Sequence, residues 1–154
     1  ETATPTVRSD KRQALIEYRA GKEFAESADD WHGEAAKEYD NGKYEQAEQA
    51  YQTAAEDSRK AERRFDEAAD LARYADRQEA EEIANTASAY MSDVFIPFSD
   101  AAKAAAVAQQ RYGPERAKRY EEDAQEYIEE AEKRQNNDNH IAETAEFREA
   151  LDLD

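Results

Sequence analysis

Residues 44–75 read YEQAEQAYQTAAEDSRKAERRFDEAADLARYA. Small and aromatic residues recur there at Tyr44, Ala47, Tyr51, Ala54, Ser58, Ala61, Phe65, Ala68, Ala72 and Ala75, at spacings of three and four without a miss. Side chains at those spacings share one helix face, so the register predicts a single helix with a narrow packing seam. A chain without a fold has no reason to keep that register over about nine turns. At 1.5 Å per residue the helix is about 50 Å long. Off the seam, Glu56 precedes Lys60 and Arg63 precedes Glu67 by four residues, the spacing of surface ion pairs.

Working outward, the preceding segment has a matching stripe: Ala14, Tyr18, Gly21, Ala25, Ala28, His32, Ala35 and Tyr39, widened by Leu15, Phe24 and Trp31. Ser9 or Asp10 is its expected cap, and Asp40-Asn41-Gly42 is a strong turn signal. After the decisive stretch, Asp76 and Glu79 have the spacing of a capping box, yet no Gly or Pro enforces a break there. Ile83, Ala84, Ala87, Tyr90 and Met91 give the next segment an apolar face. Pro97 is expected to break or kink it, with Ser99 capping the restart. Gly113-Pro114 ends one helix and opens another, striped by Ala117, Tyr120, Ala124, Tyr127, Ile128 and Ala131. Residues 135–139 read as a polar loop, and Ile141, Ala145 and Leu151 suggest a short last helix.

The breaks give four legs, roughly 9–40, 43–75, 77–112 and 114–151. Legs of similar length joined by short turns predict an all-α, antiparallel, up-down helical bundle. Residues 1–8, with their Thr and Pro, read as a flexible lead-in to a single helical domain over 9–154.

An internal echo qualifies this reading. The run Ala47 to Ala54 is similar to Ala80 to Ala87 further along, with a fainter copy at Ala124, Ile128 and Ala131. A repeat near 34 residues points to tetratricopeptide repeats. Residues 28–61 resemble one such repeat, with Trp31, Ala35, Gly42, Tyr44, Ala47, Tyr51 and Ala54 at the family's spacings. The resemblance implies a helical hairpin built on Gly42. It departs from the family at Arg59, where the usual proline is missing, and in the second copy, which lacks the turn glycine. A bundle is therefore the expected architecture and a repeat-like hairpin its runner-up.

Composition bounds the function. Among 154 residues there are 32 Ala but only 4 Leu, 5 Ile and 3 Val, so aromatics must fill the core. The net charge of −17 repels phosphate and disfavours nucleic acid and anionic membrane surfaces. No apolar run is long enough for a membrane span. Excess Asp and Glu, Arg above Lys, scarce Leu and abundant Ala resemble the composition of haloarchaeal proteins, and salt screening relieves the self-repulsion such a surface creates. The expected location is extracellular or tethered at the cell surface, with the cytoplasm of a halophile as the alternative.

Chemistry finds few parts. There is no Cys, no nucleophile elbow and no Gly-rich phosphate loop. The paired Glu-x-x-His motifs of a di-iron bundle are missing, and Asp29-x-x-His32 is the nearest match. An Ala-rich bundle is expected to leave little room for a shaped pocket. No cofactor and no metal are expected. The reading is a non-enzymatic interaction or structural protein with a protein partner. Its candidate interaction residues are Phe95, Ile96 and Phe98, around the one strongly apolar cluster, together with Trp31, Tyr44 and Tyr51. The alternative is a small-ligand or cation-binding helical protein.

Overall fold

The computed structural model describes residues 5–153. They form six α-helices: α1 (Pro5–Asp40), α2 (Tyr44–Tyr74), α3 (Gln78–Tyr90), α4 (Ile96–Arg111), α5 (Pro114–Asn136) and α6 (Thr144–Ala150). A π-helical turn, Met91–Phe95, joins α3 to α4. The result is an all-α bundle whose legs follow the expected division closely.

Part of the expected lead-in, residues 1–4, lies outside the described residues. Within them α1 already starts at Pro5, so neither Ser9 nor Asp10 caps it. Proline suits a first helical turn, where its missing N–H costs nothing. The hairpin at Gly42 is as expected, but both arms are long. α2 runs unbroken through Arg59, where a repeat of the family would end.

The α1–α2 seam is made by small residues. Ala14, Ala25, Ala28 and Ala35 on α1 are buried, as are Ala47, Ala54, Ala61 and Ala68 on α2. Gly21 is the tightest point: a Cβ there would lie 2.6 Å from Phe65 Cε1. The missing side chain is what lets a phenyl ring fill this seam.

Two turn expectations are corrected. Asp76 does not cap α3. It sits in the left-handed region at φ 59° and ends α2, with Asp76 N–H donating to Arg73 O and Arg77 N–H to Ala72 O. That pairing closes a helix C-terminus and normally takes Gly or Asn. Gly42 does the same at φ 75°, with Lys43 N–H donating to Glu38 O. Second, Pro97 does not break its helix. Residues 78–111 form one rod that widens by one residue per turn just before the proline, where Ile96 N–H reaches back to Met91 O. The wider turn gives the proline ring room and absorbs the missing donor. Ser99 is accordingly no cap. It is buried mid-helix and donates to Phe95 O at 2.9 Å.

Two cores result. At one end Tyr18 of α1, Phe65 of α2, Met91 of the rod and Phe147 of α6 are buried together with the alanines between them. Tyr18 stacks on Phe147 with centroids 4.2 Å apart and donates its hydroxyl to Ala142 O at 2.6 Å. At the Gly42 end Ala35, Ala47, Tyr51, Ala102, Ala106 and Ala124 form the second core, from α1, α2, α4 and α5. The fourth place in the bundle is thus held by α5 at one end and by α6 at the other.

Candidate functional site

The handover from α5 to α6 leaves α1 and α5 apart in the middle of the molecule. They touch at the Gly42 end, where Tyr39 donates its hydroxyl to Glu121 Oε2 at 2.5 Å and accepts from Gln109 Nε2 at 3.2 Å. At the other end the segment after α5 crosses to α1, held by the Tyr18–Ala142 bond and by Lys22 Nζ on Glu143 Oε2 at 3.1 Å. Between these ties lies a cleft of about 480 Å³. The expectation that an Ala-rich bundle leaves little room for a shaped pocket is therefore corrected. Small seam residues close the α1–α2 pair but cannot span a gap left by a missing fourth helix.

The floor of the cleft is the π-helical turn and its flanks, Tyr90, Val94, Phe95 and Phe98. The widened turn places Val94 and Phe95 there together. One wall is α1, through Lys22, Ala25, Glu26, Asp29 and His32, and the other is α5, through Tyr127, Ile128, Ala131, Glu132 and Gln135. His140 and Ile141 close the end. The only two histidines of the sequence therefore line one cleft.

His32 is held in an aromatic cage. Its ring lies edge-on to Phe98 at 4.8 Å and near Phe95 at 5.5 Å, and Phe98 in turn meets Tyr51 edge-on at 6.2 Å. Because Ser99 Oγ donates to Phe95 O, His32 Nε2 is the donor to Ser99 Oγ, at 2.5 Å. Burial among apolar rings disfavours the imidazolium and pushes the pKa of His32 down to about 4. Its ring is neutral at ordinary pH. Tyr90 accepts from Gln135 Nε2 at 3.0 Å, and burial raises its pKa. His140 meets Tyr90 edge-on at 6.2 Å, and its buried Nδ1 has no partner among the described residues.

The sequence-derived candidates divide among three places. Phe95 and Phe98 form the cleft floor, half-buried, with Tyr51 buried behind Phe98. Ile96 is half-buried on the same rod but does not line the cleft. Tyr44 packs edge-on against Tyr39 at the hairpin end, 5.1 Å between centroids. Trp31 stands 40 % exposed on a separate depression with Glu34, Glu38, Lys43, Gln46 and Gln49. Asp29, Tyr90, Tyr127, Ile128 and His140 join the site without having been singled out for it. Asp29 and His32 do share a wall, as their spacing implied, but among the described residues no group of three or more His, Cys, Asp or Glu is placed to hold a metal ion. Among the described residues, no helix is long and apolar enough to cross a membrane. Comparison with protein-family models, with curated proteins and with solved structures gave no match.

Proposed function

We propose that this chain is a non-catalytic helical binding protein that holds a small solute in the cleft between α1 and α5. The observation that carries this reading is the cleft itself, a concave site of about 480 Å³ with an apolar, partly aromatic floor and polar groups on both walls. That is the size and lining typical of small-molecule sites. The hydrogen-bonded ties at both ends support a preformed cleft, because binding then costs little ordering. Isothermal titration against a panel of small solutes in molar KCl tests it. Saturable heat supports the reading, and flat titrations throughout sink it.

A second reading is the adaptor role expected from sequence, with a protein partner engaging an exposed aromatic face. Trp31 favours it, being a large exposed aromatic beside a depression on the α1–α2 hairpin. A tagged pull-down from extract in molar salt, repeated with Trp31→Ala, separates the two: a stoichiometric partner lost in the variant supports the adaptor. In our reading the tetratricopeptide likeness extends no further than the hairpin at Gly42. We also propose adaptation to high salt, outside the cell or at its surface, on the strength of the −17 net charge and the alanine-rich composition. Its test is the melting temperature, which should climb from low to molar KCl as screening relieves self-repulsion.

A further inference from the structure

Given the cleft as a solute site, we infer that its ligand is an organic cation, an amine or quaternary ammonium carrying a small apolar body. The walls set the sign of the charge. Glu26, Asp29 and Glu132 are exposed on the two walls and have no ion-pair partner among the described residues. Lys22 is the one Lys or Arg lining the cleft, and it is already bonded to Glu143. Carboxylates on both walls of a concave surface with an apolar floor focus a negative potential into it. That field draws a cation and turns an anion away.

The floor sets the rest of the chemistry. Tyr90, Phe95 and Phe98 on the floor are joined by Tyr127 from the α5 wall, and a cation over an aromatic face gains from the ring quadrupole, the more so when desolvated. The floor also gives an apolar body a place to leave water. A bare metal ion would use none of this surface. The neutral ring of His32 adds no opposing charge to the aromatic cage.

Three matched probes test the inference: benzyltrimethylammonium, benzyl alcohol and benzoate. Each is titrated at the lowest KCl concentration that keeps the full helical circular dichroism. The readout is the imidazole ring signals of His32 and His140, which together report both ends of the cleft and are the only histidine signals the protein has. The expected result is a saturable shift of both rings with benzyltrimethylammonium, at least about ten-fold tighter than with benzyl alcohol, and none with benzoate. The double variant Asp29→Asn with Glu132→Gln should weaken the cation about ten-fold and leave the alcohol unchanged. Ala131→Trp, which fills the cleft from α5, should abolish both shifts while the helical signal persists. Alcohol or benzoate binding as tightly as the cation overturns the cation class and leaves the cleft as a binding site. No shift from any of the three overturns the solute-site reading itself. Cation binding untouched by Ala131→Trp moves the site elsewhere and overturns the inference.

Discussion

The two aromatic clusters of this protein are built from the same materials and end in opposite states. Tyr18, Phe65 and Phe147 form a closed stack, each fully buried. His32, Phe95, Phe98 and Tyr90 form an equally dense set of ring contacts that is open on one side. Composition does not separate them, since each is a few large rings in a field of alanines. What differs is the cover. α6 lies over the first cluster, whereas α5 stands off α1 beside the second. An aromatic cluster on an Ala-rich seam is a core or a site according to whether a fourth helix reaches it.

The largest test of that contrast removes one ring from each side. Phe65→Ala should cost about 3–5 kcal/mol, the usual range for a fully buried phenylalanine. Phe98→Ala, half-buried at the cleft, should cost about half as much. Urea denaturation measures both. Equal costs would erase the distinction between a closed core and an open site.

Acid probes the open cluster next. The pKa of His32 lies near 4 in the folded chain and near 6.5 when unfolded, so the unfolded state binds the extra proton first. The stability of the native protein should therefore fall as pH drops from about 6.5 to about 4, by roughly 2–3 kcal/mol from this group. Protonation of the many carboxylates acts over the same range, so the comparison is with His32→Gln. The variant should lack that part of the slope. A wild-type slope unchanged by the substitution would mean that the ring is not enclosed as described.

A smaller effect is expected at the seam beneath the closed stack. Gly21→Ala puts a methyl group into Phe65, whose ring has no free side to move to, and should cost about 1–3 kcal/mol. A Cβ at Gly33, on the same helix, would meet nothing within 4 Å, and alanine there should be neutral or stabilising by up to about 1 kcal/mol. The pair is read as a difference in melting temperature.

The smallest effect compares the turns at the two ends. Gly42 and Asp76 hold the same left-handed conformation, and only the glycine is at ease in it. Asp76→Gly should stabilise by about 0.5–1 kcal/mol and Gly42→Ala destabilise by a similar amount. Opposite signs in thermal melts confirm the turn geometry, and equal signs contradict it.

The seams were legible in the sequence because alanine at spacings of three and four has one physical meaning. Nine of the ten positions read off residues 44–75 are buried, all but Tyr44, so the register held along the whole helix. The stripe on α5 was legible only in part. Ala117 and Ala124 are buried, but Tyr120 and Ile128 are exposed and Tyr127 and Ala131 half-buried. Periodicity says which face of a helix is apolar, not whether a neighbour is long enough to cover it. For the same reason Phe147 was missed: a seven-residue helix is too short to show a period. The proline at 97 misled because the rule for an α-helix does not foresee a π-helical turn one step upstream. That turn is what brings Val94 and Phe95 to the cleft floor together.

Because the stack on Tyr18 is completed by Phe147 and Leu151, its parts are made at opposite times during synthesis. A ribosome adds residues from one end, at about 5–20 per second. The hairpin of α1 and α2 can pair early through local contacts, but Tyr18 and Phe65 then wait several seconds, uncovered, for a ring that has not yet been translated. Through that interval the nascent chain presents an aromatic surface to its surroundings. The finished hairpin, residues 1–75, carries 18 Asp and Glu against 12 Lys and Arg, and that net negative charge opposes contact between two such surfaces until α6 arrives.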